Sequence, residues 1–124
     1  MTQTNRILIV DDNPHMSSLL SDILEFFDYG ALGAQDGEEA LELLGKDSVD
    51  MVITDLRMPR MGGLDLLRAI KGKFPNLPVV VITGFGTDSS ESEAYAAQAD
   101  GFLAKPFKVD EIKELLKKHL GYRD

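Results

Sequence analysis

The sequence contains no cysteine, which excludes disulfides, thiol catalysis and thiolate metal sites and leaves carboxylates and two histidines as side-chain metal ligands. No apolar run approaches the ~20 residues that a membrane-spanning helix needs, so no membrane partner is expected. The opening MTQTNRILIVDD lacks the basic start and uninterrupted apolar stretch of a secretory signal, which makes the cytoplasm the expected compartment. Basic residues are in deficit, 13 against 21 acidic ones, for a net charge of −8. With no long Lys/Arg cluster to offset it, that balance argues against direct nucleic-acid binding, while it suits hard cations and partners with basic patches. Repeats, low-complexity tracts and linkers are also missing. What is present, 44% hydrophobic and 27% charged residues over 124 positions, fits one folded domain of ordinary size spanning 1–124. With the chain ending soon after Leu120, no output domain is expected.

Five apolar runs stand out. Arg6 to Val10 is unbroken and aliphatic, as expected of a central parallel strand covered on both faces. It stops at Asp11-Asp12, and Asn13-Pro14 opens a helix with Met16, Leu19, Leu20, Ile23, Leu24 and Phe27 on one face and Gly30 just beyond its end. Ala31 to Ala34 is a weak second strand. Asp36-Gly37-Glu38-Glu39 leads into a helix carrying Ala40, Leu41 and Leu44 inward, with Gly45 as its stop. Met51 to Thr54 reads as a buried strand ending on Asp55, followed by a loop with Pro59 and Gly62-Gly63. Leu64, Leu67 and Ile70 mark a third helix, and Pro75 and Pro78 bracket the turn into the strand Val79 to Thr83. Thr87 to Gln98 reads as a fourth helix with a weak, Ser-rich start. Phe102-Leu103-Ala104 is a short fifth strand ending at Lys105-Pro106. Val109, Ile112, Leu115, Leu116 and Leu120 make the last helix amphipathic, and Gly121 stops it. Strands alternating with helices through short connections predict a doubly wound α/β fold, a five-stranded parallel sheet with helices on both faces.

In such a fold Asp11, Asp12, Asp55, Thr83 and Lys105 all fall at or just past the carboxyl ends of strands, the edge at which open α/β sheets bind ligands. Taken singly each has a structural explanation: Asp12 as a helix N-cap, Asp55 as a turn former, Thr83 as a β-former, Lys105 as a solvated cation. Jointly, three carboxylates in one crevice repel one another unless a cation such as Mg²⁺ neutralises them. An ionised carboxylate is a nucleophile that needs no general base. His15, in a helix's opening turn, and His119, where the helix dipole favours a cation, carry no expected function.

The segments ILIVDDNP, DLRMPRMGG, VVVITG and ADGFLAKPF occur in this order over nearly the whole chain, and their residues and spacing resemble the receiver domain of two-component response regulators. The resemblance implies the flavodoxin-like, or CheY-like, fold with strand order 2-1-3-4-5. It further implies that Asp55 accepts a phosphoryl group from the phosphohistidine of a sensor histidine kinase or histidine phosphotransfer protein. Asp12 and Asp55 would bind Mg²⁺ through their side chains, Asp11 through water, and Arg57 through its backbone carbonyl. Lys105 would bond a phosphoryl oxygen, Thr83 would move toward the phosphate, and Phe102 occupies the aromatic switch position. By the same resemblance Lys105-Pro106 is cis, Arg57 and Phe85 border the path of the water that hydrolyses the phosphoryl group, and a downstream effector protein reads the surface of the fourth helix, fifth strand and last helix. Such a protein is not a conventional enzyme, although it catalyses its own phosphorylation and dephosphorylation. Gly62, Phe102 and Lys108 depart from the commonest family pattern without touching that chemistry.

Three rival readings remain. A phosphohydrolase of the haloacid dehalogenase type also uses a strand-end Asp, Mg²⁺, Thr and Lys, but its D-x-D motif reads Asp11-Asp12-Asn13 here and no cap insertion is present. A flavodoxin-like cofactor binder would need a Ser/Thr/Gly-rich phosphate loop after the first strand. A non-phosphorylated interaction module of the same fold would typically have lost an active-site residue, and none is lost.

Overall fold

The computed structural model describes residues 5–56, 63–83 and 99–123, the side chains of 63, 64 and 83 excepted. Its elements are β1 (Arg6–Val10), α1 (Pro14–Phe26), β2 (Gly30–Ala34), α2 (Gly37–Lys46), β3 (Met51–Asp55), α3 (Gly63–Lys73), β4 (Val79–Thr83), β5 (Gly101–Ala104) and α4 (Val109–Leu120). The expected helix over 87–98 lies outside the described residues, as do Arg57, Gly62 and Phe85. The strands pair in parallel in the order β2-β1-β3-β4-β5, with Ile9 opposite both Gly33 and Ile53. This is the expected doubly wound α/β sheet.

Alternation along the strands builds two apolar layers. Ile7, Ile9, Met51, Ile53, Val80, Ile82 and Leu103 face Leu20, Ile23 and Leu24 of α1 and Ile112 and Leu116 of α4. Leu8, Val10, Val52, Val79 and Val81 point the opposite way, onto Ala40 and Leu44 of α2 and Leu66, Leu67 and Ile70 of α3. β1, β3 and β4 are thus buried on both sides, which is why residues 7–10, 51–53 and 79–82 are apolar without a break.

Helix ends hold the corners. Asn13, rather than Asp12, caps α1, its Oδ1 accepting the His15 N–H at 2.9 Å. Asp36 caps α2 by accepting the Glu39 N–H at 2.9 Å. At α4 the N-cap is Lys108, whose side chain has no acceptor; Glu111 supplies one, taking the Lys108 N–H at 3.0 Å. Gly121 closes α4 in the left-handed region at φ 70°.

Several local expectations are corrected. The turn after α1 is made by Asp28 at φ 67°, and Gly30 opens β2 instead. Gly45 lies within α2, which runs on to Lys46 because the exposed glycine meets nothing there and tertiary packing outweighs its low propensity. Leu19, read as part of the buried stripe of α1, is 48% exposed, and Val109 of α4 is 46% exposed. In α3 the inward face includes Leu66 as well as Leu67 and Ile70.

Candidate functional site

β1 sends its crossover through α1 to β2 on one side, and the chain then returns to place β3 on the other. The strand order therefore reverses between β1 and β3, and the carboxyl ends of these two strands frame the crevice that such a reversal opens. Asp11 follows β1 and Asp55 ends β3. The pairing holds both: the Asp11 N–H donates to the Ala34 carbonyl at 3.0 Å, and beyond Asp55 the Leu56 N–H donates to the Ile82 carbonyl at 3.3 Å.

Asp11, Asp12 and Asp55 each bring a carboxylate oxygen into a group whose members all lie within 4.8 Å of one another. Asp11 is buried, Asp55 half-buried and Asp12 exposed. One Asp11 oxygen accepts the Asn13 N–H at 2.9 Å, and the other, Oδ2, is buried without a hydrogen-bond partner among the described residues. Burial pushes the Asp11 carboxyl above its ordinary range; the Asn13 N–H and the Lys105 ammonium pull the other way, while the charges of Asp55 and Asp12 add to the rise. Two carboxylates at that separation repel by roughly 3 kcal/mol at an effective dielectric of ~20. Lys105, whose Nζ stands 3.6 Å from Asp55 Oδ2, is one positive charge against three negative ones. An orphaned buried oxygen inside an all-oxygen acidic cluster is a donor set that fits a small hard divalent cation.

The Lys105–Asp55 distance is that of an ion pair rather than a hydrogen bond, so an acceptor placed between them can be gripped by the ammonium. The expected cis peptide at Lys105-Pro106 is present. Thr83 ends β4 opposite Ala104, at the same carboxyl edge, with its side chain outside the described atoms. Phe102, in the middle of β5, is half-buried against the layer of α2 and α3. Of the residues expected at the site, Asp11, Asp12, Asp55 and Lys105 are brought together, the Thr83 backbone joins their edge, and Arg57 lies outside the description.

Two features escaped the sequence. A crevice of about 410 Å³ extends from Asp11 and Asp12 past Ser17 and Gly33 to Glu39. Lys105, Met16, Leu19, Pro106 and Phe107 line an apolar hollow of about 340 Å³. An exposed leucine in an amphipathic helix was the signal available for the second, and it reads as core in a helical pattern.

The sequence model of the family described as response regulator receiver domain matches residues 7–117. The chain belongs to this family. The receiver domain is 37% identical over 108 residues to the transcriptional regulatory protein CpxR of Escherichia coli K12, covering 87% of this chain and 46% of that protein. It thus spans about half the length of such curated relatives. A putative response regulator from Chloroflexus aurantiacus superposes with a TM-score of 0.91 at 30% identity, over 96% of this chain and 99% of the other. The receiver domain of a histidine kinase from Syntrophus aciditrophicus does so at 0.88 and 31%, over 95% and 91%. Receiver domains of this family are the phosphoacceptor modules of two-component response regulators, so this one has a phosphoacceptor function. Kinship to a transcriptional regulatory protein leaves the expectation of no direct nucleic-acid contact without support. No described helix is long and apolar enough to cross a membrane.

Proposed function

We propose that the 124 residues act as one receiver domain in which Asp55 is the phosphoacceptor and Asp12 and Asp55, with the Arg57 carbonyl and with Asp11 through water, hold Mg²⁺. The observation that carries this reading is the convergence of three carboxylates and Lys105 at the strand-order reversal. An Asp55 carboxylate oxygen forms a bond to phosphorus as the P–N bond of a phosphohistidine breaks, and the bonding pair returns to the imidazole nitrogen. Bound Mg²⁺ supplies neutralisation of the phosphoryl oxygens and of the carboxylate repulsion. Lys105 takes a second phosphoryl oxygen, and the N-terminus of α1 adds positive potential beside Asp12. Loss of the phosphoryl group to water, at a rate that Phe85 restrains, resets the domain in the cytoplasm.

The added charge draws in the Thr83 hydroxyl, and Phe102 fills the space it leaves, altering the surface of the 87–98 segment, β5 and α4 for an effector protein. Phe102 needs no hydrogen-bond partner, so its inward position costs less than a tyrosine's before phosphorylation.

The donor must approach past α1, where Leu19 and the apolar hollow adjoin Lys105. Leu19→Glu should slow transfer from a phosphohistidine-bearing protein about tenfold or more, the equivalent of ~1.4 kcal/mol, while leaving phosphorylation by a small phosphodonor unchanged. Labelling of Asp55 by both kinds of donor, in Mg²⁺ and in excess chelator, tests the function itself. Undiminished labelling in chelator would remove the metal from the site, and equal slowing with both donors would remove Leu19 from the docking surface.

A further inference from the structure

At the edge of the sheet opposite the carboxylates, α4 meets β5 at a position without a side chain. A Cβ at Gly101 would lie 3.0 Å from Leu115 Cδ2 and 3.6 Å from His119 Nε2, so these two side chains fill the notch that the glycine leaves. His119 belongs to the inward stripe of α4 with Ile112 and Leu116, and its Nε2 is buried with no hydrogen-bond partner among the described residues. Beside the notch stands Asp100. Its Oδ2 lies 2.6 Å from Lys71 Nζ of α3 and accepts the Val79 N–H at 2.8 Å, while Lys71 also donates to the Leu77 carbonyl at 2.8 Å. From just before β5, one carboxylate thus ties α3 to the first residue of β4, and Lys71 extends the tie to the turn at Leu77.

Among the described residues, the charges that act on His119 are those of Asp100, Lys118 and Lys71. Burial acts most strongly and holds the imidazole below its ordinary value; the Asp100 carboxylate and backbone favour a ring proton, and Lys118 on α4 and Lys71 on α3 oppose it. The neutral ring is the form that fits the notch. This corrects the expectation from the helix dipole, which treated His119 as a favoured cation: the ring points at the sheet, where desolvation outweighs the dipole.

We propose that His119 is a proton-operated seat joining α4 to β5: the neutral ring fills the Gly101 notch, and the protonated ring leaves it, loosening the last turn of α4 from the strand that carries Phe102. Because the folded-state value lies below the unfolded one, the unfolded chain takes up the proton first. The stabilisation is complete above the unfolded value of about 6.5 and is lost as pH falls from there through the folded value. Acidification therefore acts on the β5–α4 surface from the edge opposite Asp55, without contact with the acidic cluster.

NMR titration of the His119 ring, together with amide exchange of Gly101–Ala104 and of 116–121 at several pH values corrected for intrinsic rates, tests this. The ring should titrate below a histidine in an unfolded peptide, and protection in both segments should fall severalfold in step with its protonation. In His119→Phe, which keeps the notch filled, that fall should vanish. Titration at or above the unfolded value, protection that ignores the ring's titration, or an equal fall in His119→Phe would each overturn the proposal. The titration and exchange of the unmodified protein decide it even if the variant does not fold.

Discussion

Asp12→Ala should lower Mg²⁺-dependent phosphorylation of Asp55 by about two orders of magnitude or more, ~3 kcal/mol of transition-state stabilisation, without destabilising the metal-free fold. Asp12 is exposed and does not cap α1, a task that Asn13 performs, so among the described residues no hydrogen bond or ion pair of the fold rests on its carboxylate. Its oxygen does lie within 4.8 Å of those of Asp11 and Asp55, and in metal-free buffer its charge adds a little to the burial that chiefly keeps Asp11 reluctant to ionise. Removing it should leave the melting temperature in chelator the same or slightly higher. With Mg²⁺ the order reverses: the unmodified protein gains about 2.7 kcal/mol at a hundredfold excess over its dissociation constant, and the variant gains little. Thermal unfolding with and without Mg²⁺, alongside labelling, checks both halves. A variant that still gains stability from Mg²⁺ and still labels would remove Asp12 from the metal set.

Asp100→Ala should destabilise the domain by about 2–4 kcal/mol, a large share of the roughly 5–15 kcal/mol that holds a domain of this kind together. The side chain of Lys71 is only 10% exposed, and with Asp100 gone its ammonium keeps, among the described residues, the Leu77 carbonyl, while the Val79 N–H loses its acceptor. Asp100 is itself a third exposed, so water can soften the loss and the lower half of that range is the expected result. Pairing the change with Lys71→Met should restore part of the stability, because the uncompensated charge is then removed as well. Urea denaturation of the two single variants and the double one measures this. A cost for Asp100→Ala below ~0.5 kcal/mol, or additive losses in the double variant, would show that the pair does not fasten the edge.

The central strands were legible because burial on both faces leaves no room for polar interruptions, and the runs Ile7 to Val10 and Val79 to Ile82 have none. The carboxylates were legible for the same reason: each is the residue at which such a run stops, and chain order alone brings strand ends to one edge. What escaped depends on contacts between distant segments. Lys71 and Asp100 carry no local mark of their pairing, since one sits in a polar turn of α3 and the other just before β5. Helical spacing put Leu19 inside although it is exposed, because the period of a stripe does not say where the covering sheet ends. His119 was misjudged by weighing the helix end without the neighbour: Gly101 makes its notch from another element. In β2 the two glycines of GALGA hid the first paired residue and shifted the boundary to Gly30.

The most direct test of Asp55 as phosphoacceptor is the intact mass of the protein after incubation with Mg²⁺ and a small phosphodonor. The account predicts a gain of one phosphoryl group in the unmodified chain, lost in excess chelator and absent in Asp55→Asn. A gain that persists in Asp55→Asn, or no gain in the unmodified protein with Mg²⁺ present, would contradict it.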